Sequence, residues 1–111
     1  MPQFLLSVIH DGKPFAEDAD QSEIFAAVDA LNREMMDAGA WVFAGGLTPP
    51  SDARYVTSEG VVVEGPVLQY PDQVNGFWVI DVEDDAAALD WAKRAVATGC
   101  NPTVEVRPFQ G

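Results

Sequence analysis

The chain has 111 residues, 48% of them apolar and 22% charged, which fits one globular domain over residues 1–111 and excludes an intrinsically disordered chain. Six basic residues against 18 acidic ones give a formal net charge of -12, which repels phosphate backbones and anionic membrane surfaces and excludes nucleic-acid binding. No apolar run approaches the ~20 residues of a membrane span, and the single Cys100 can neither close an internal disulfide nor seed a multi-cysteine zinc site, so the expectation is a cytoplasmic protein with no metal.

Phe4 to Ile9 is a short apolar run rich in strand formers, closed by His10-Asp11-Gly12. An acidic stretch around Pro14 is expected to loop over the surface. From Gln21 to Ala38 the period changes, because Ile24, Val28, Leu31 and Met35 fall on one stripe of a helix. Asp20 and Glu23 have the spacing of a capping box, and Gly39 is placed to stop the helix. Ala40 to Ala44 reads as a second strand running into Gly45-Gly46. Leu47-Thr48-Pro49-Pro50 is then a rigid connector, since proline has no N–H to give a sheet.

Arg54 to Thr57 and Gly60 to Val63 read as two short strands joined at Ser58-Glu59-Gly60. Gly65-Pro66 opens a loop that runs to Asn75, and Gly76 to Val82 is the next strand. Asp81, Glu83, Asp84 and Asp85 gather where a helix from Ala86 to Thr98 begins, and a helix N-terminus favours negative charge. That cluster lacks the mid-loop glycine and the closing Glu of an EF-hand, so it is read as capping and not as a calcium site. Leu89, Ala92 and Val96 form the expected inner stripe, Gly99 the stop, and Thr103 to Arg107 the last strand.

The order predicts an α+β, ferredoxin-like β-α-β-β-α-β fold with an extra small hairpin, two helices covering one face of an antiparallel sheet. The other face should then be polar in a monomer. Instead Phe4, Leu6 and Val8 alternate with Leu5, Ser7 and Ile9, and Phe77 and Val79 alternate with Trp78, Ile80 and Val82, so both faces are apolar. The simplest cover for the second face is another copy of the chain, and a homodimer through the sheet face is expected.

Glu64-Gly65-Pro66-Val67, followed after a short loop by Asn75-Gly76-Phe77-Trp78-Val79-Ile80-Asp81-Val82, resembles the DGPF branch of the YCII-related proteins. So do Gly46-Leu47-Thr48-Pro49-Pro50, Ala88-Leu89-Asp90-Trp91-Ala92 and Val104-Glu105-Val106-Arg107-Pro108. The resemblance implies a dimeric α/β barrel of ferredoxin-like protomers. For activity it implies little, although some members are proposed to use a His/Asp pair and some occur beside sigma-factor-like proteins. This chain has Glu64 and Val67 where the family signature has Asp and Phe, and Gln69 and Pro71 where the family loop carries an acid and a lysine.

His10 is the sole histidine and the first candidate for a catalytic acid/base, because an imidazole changes charge near neutral pH. Asp11 beside it points to the opposite side of a strand, so the orienting carboxylate would be Asp81 or Glu64. Arg54 and Arg107, scarce cations in an acidic chain, are candidates to hold an anionic substrate, with Glu64, Gly65, Pro66 and Trp78 as further ligand-binding residues. Cys100 is read as structural. Motifs for nucleotides, flavin and haem are absent, so no cofactor is expected. The expected function is a cofactor-independent enzyme or binder acting on a small polar molecule in a cleft at the dimer sheets. The competing reading is a non-catalytic assembly or regulatory module that binds a partner protein.

Overall fold

Strict alternation along the first strand decides how the sheet is covered. In β1 (Gln3–His10), Phe4, Leu6 and Val8 are buried on one side, under the helices. The computed structural model describes residues 2–10, 21–68, 71–99 and 103–110. The expectations for Asp11, the Pro14 stretch, the Asp20 cap, Gln69 and Cys100 lie outside the described residues. After β1 come α1 (Gln21–Asp37), β2 (Trp41–Gly46), β3 (Arg54–Val56), β4 (Val62–Glu64), β5 (Gln73–Asp81), α2 (Asp85–Ala97) and β6 (Thr103–Pro108).

Four strands form an antiparallel sheet in the order β2-β5-β1-β6, while β3 and β4 pair separately as a hairpin. This is the expected α+β ferredoxin-like fold, with the hairpin inserted between β2 and β5. A single turn of 3-10 helix, Pro50–Asp52, links the proline connector to the hairpin.

The ladder sorts the side chains cleanly. Opposite Phe4, Leu6 and Val8 stand Ile80, Trp78 and Gly76 of β5, and on β1's other flank Leu6 and Val8 face Val106 and Val104 of β6. These meet Leu31 and Met35 of α1 and Ala88, Ala92 and Ala95 of α2 in one core. Fully burying a side chain the size of Leu6, Met35 or Ile80 contributes about 1.5–3 kcal/mol. The stripe expected on α2 is corrected in part: Ala92 is buried as expected, but Leu89 is 49% and Val96 39% exposed, and Ala88 and Ala95 are buried in their place. Small residues at that spacing let the helix axis come close to the sheet, and that approach rotates the larger residues outward.

Helix α1 ends as read. Gly39, at φ +74°, gives its N–H to Met36 O (3.1 Å) while Ala40 N–H reaches Met35 O (2.9 Å), the paired closure that a left-handed residue permits. Helix α2 begins on Asp84, whose Oδ1 accepts the Ala87 N–H at 2.9 Å. Asp84→Ala is therefore expected to cost about 1 kcal/mol, read as a lower urea midpoint with an unchanged slope. Strand β5 starts at Gln73, three residues before the expected Gly76, because Asn75 is absorbed as a bulge: Val8 pairs with Gly76 but Ile9 already pairs with Val74.

The molecule is a slab, 43 × 43 × 18 Å, with a radius of gyration of 15.4 Å. A rounded domain of this length would have a radius near 13 Å. The excess follows from two layers only, helices and sheet. On the uncovered face Leu5 stands opposite Val79, Val79 is flanked by Phe43, and the Phe43 and Phe77 rings lie 5.8 Å apart. Toward β6 the same face turns polar, with Thr103, Glu105 and Arg107.

Candidate functional site

Where β2 and β5 run side by side, glycines replace side chains. Gly46 pairs with Gly76, and a Cβ on Gly76 would lie 2.9 Å from Gly45 O, so only glycine permits this approach. On the helix-covered side the sheet therefore has no side chain at either position. The first half of α1 spans the gap, and a cavity of about 400 Å³ opens beneath it. Its walls are Val8, Ile24, Phe25, Val28, Asn32, Trp41, Ala44, Gly45, Gly46, Asn75, Gly76, Phe77 and Trp78. Apolar walls, a few polar groups and this volume are the usual makeup of a small-molecule site.

The polar groups are ordered. The Trp78 indole N–H donates to Asn32 Oδ1 at 2.7 Å, tying the sheet floor to α1. Trp78 is 4% exposed, and it belongs to the helix-covered side of the sheet, not to the open side. Phe25 stands at the rim, 64% exposed.

Of the sequence-derived residues, Trp78 lines this cavity and the others stand outside it. His10 does not line it, but strand alternation puts His10 on the same face as Val8, about 7 Å farther along β1. Across the ladder from His10 stands Gln73, whose side chain donates to Leu68 O at 2.6 Å. Asp81 is at the far end of the same ladder, opposite Gln3, about 24 Å from His10 along the strand. Within one protomer the expected His10–Asp81 pair is thus not brought together, because both ends of β1 are paired with β5 over its full length. Asp81 instead donates its backbone N–H to Ala40 O (2.8 Å), and its Oδ1 is shielded from solvent.

Arg54 and Glu64 face each other across the hairpin, both exposed. Arg107 pairs with Glu105 at 3.0 Å on the open face of edge strand β6. Neither arginine lines the cavity. Gly65 takes a positive φ of 99° and donates its N–H to Ala53 O (2.7 Å), closing the base of the hairpin. Pro66 lines a second hollow of about 360 Å³ with Pro49, Pro50, Asp52 and Gln73. Among the described residues no group of three His, Cys, Asp or Glu side chains is placed to hold a metal, and no helix is long and apolar enough to cross a membrane.

Residues missed by the sequence reading are Asn32 and the Gly46–Gly76 pair. Asn32 lies next to the apolar stripe of α1, where a carboxamide reads as surface; its partner Trp78 is 46 residues away. Gly45-Gly46 reads as the end of one strand and Gly76 as the start of another, and nothing local marks them as partners.

Known proteins place the chain in context. It is 28% identical over 96 residues to an uncharacterized protein of Rhizobium meliloti (strain 1021), covering 81% of this chain and 76% of that protein. The structure is similar to that of 5-chloro-2-hydroxyhydroquinone dehydrochlorinase (TftG) from Burkholderia phenoliruptrix AC1100 in complex with 2,5-dihydroxybenzoquinone, with a TM-score of 0.49 and 10% identity over 97% of this chain and 93% of that one. The family model of the YCII-related domain matches residues 5–110, and the chain belongs to that family.

Proposed function

We propose that this YCII-related protein, of the DGPF branch, is a cytoplasmic homodimer that binds and converts a small molecule in the cavity beneath α1, with His10 as acid/base. The observation that carries this reading is the cavity of about 400 Å³ opened by Gly46 and Gly76, with His10 next after Val8 on the same face of β1. The dimer follows from the apolar strip Leu5, Val79, Phe43 and Phe77, where Phe43 alone is 57% exposed. Arg54 and Arg107, set on the hairpin and the edge strand, have no part in this site; Gly65 and Pro66 shape the hairpin base beside it.

Native mass spectrometry of the gently purified protein tests this. The expected result is a dimer carrying a reproducible extra mass of small-molecule size. Gly46 has open space where a Cβ would stand, so Gly46→Val should fill the cavity, keep the fold and lose that mass. Retention of the mass by Gly46→Val would move the ligand elsewhere. His10→Ala should keep the mass but lose conversion of the identified compound.

The competing reading, an assembly module that docks a partner protein, draws on the hairpin, where Val56 is 65% and Val62 61% exposed. It requires that His10→Ala leave every activity intact and that Val62→Asp abolish partner binding.

A further inference from the structure

The inference that follows rests on the cavity being the site, and concerns what it selects. Although 22% of the chain is charged, no Asp, Glu, Lys, Arg or His among the described residues lines the cavity. Burying an ion without a counter-charge is costly, and neither sign finds one here. The surrounding field, set by a net charge of -12, further disfavours anions.

The hydrogen-bonding groups on the wall have a defined direction. An indole N–H can only donate, so its bond to Asn32 (2.7 Å) fixes that carboxamide with Oδ1 toward Trp78 and leaves Nδ2 as the donor. The remaining hydrogen-bonding side chains among the described lining residues are Asn75 and Trp41, whose indole N–H can only donate. We infer that the cavity takes an uncharged, largely apolar molecule bearing a carbonyl-type acceptor, bound through Asn32, and rejects ions of the same shape. This replaces the anionic substrate expected from Arg54 and Arg107.

Benzamide, benzoate and benzamidinium are nearly identical in size and planarity and differ in charge, so a titration of each against tryptophan fluorescence reads the selection directly. Benzamide, with about nine heavy atoms, is expected to bind with Kd near 1 mM, at least tenfold tighter than either ion. Benzoate or benzamidinium binding as tightly as benzamide would overturn the inference while leaving the cavity as the site. If none of the three binds at about 10 mM, ten times that expected Kd, the cavity itself is lost as the site. Asn32→Asp keeps the acceptor for Trp78 and adds a negative charge. It should weaken benzamide and raise benzamidinium affinity by tenfold or more; an unchanged order of affinities would mean that Asn32 does not meet the ligand.

Discussion

Gly76→Ala will destabilise the protein by about 3 kcal/mol, while Gly46→Ala, its ladder partner, will change stability by no more than about 0.5 kcal/mol. The two glycines are chemically the same and lie side by side, so the contrast isolates sterics. A Cβ on Gly76 would meet Gly45 O at 2.9 Å and Gly46 Cα at 3.3 Å, and both are backbone atoms that cannot rotate away. Relief requires β2 to shift away from β5, which strains the ladder from Trp41 to Gly46. On Gly46 the same methyl meets nothing within 4 Å. Urea unfolding of both variants checks this. Equal stabilities would mean that β2 and β5 do not approach as closely as described.

Val79→Asp is expected to convert the proposed sheet-to-sheet dimer to monomers at micromolar concentration, weakening association by at least about a thousandfold. Val79 is central to the open face, opposite Leu5 on one side and flanked by Phe43 on the other. In the proposed dimer a two-fold axis sets this patch against itself, so one substitution would bury two carboxylates close together. Each protomer also brings a net charge of -12, and among the described residues of the four sheet strands the cation on that face is Arg107, which already pairs with Glu105. Light scattering after size exclusion reads the mass. A Val79→Asp dimer would exclude the sheet face, and a dimer broken instead by Val62→Asp would move the interface to the hairpin.

The fold was legible because its signals are local. Alternation in Phe4–Ile9, the helical stripe ending on Met35, and Gly39 as a stop each depend on a few neighbouring residues, and each is found in place. The stripe of α2 misled at two of its three positions, because hydrophobicity ranked Leu89 and Val96 above Ala88 and Ala95, whereas the small residues are the ones buried beside Ala92. The site is less legible for a related reason. Its floor is made by side chains that are missing at Gly46 and Gly76, and its one ordered polar contact joins Asn32 to Trp78 across two elements. Ionisable residues attract attention in a sequence; those that the structure describes sit outside the cavity walls.

The place of β1 in the sheet bears on how the chain is made. It precedes the other described strands in the chain, yet it lies in the interior of the final sheet, paired on one flank with residues 73–81 and on the other with residues 103–108. Both partners emerge late, so during synthesis a segment that is apolar on both faces waits with both edges open, the condition in which strands of neighbouring nascent chains can join. Such long-range pairing also places refolding in the millisecond-to-second range. The excess of acidic residues then acts before the fold exists, by keeping growing chains apart until β6 closes the second edge.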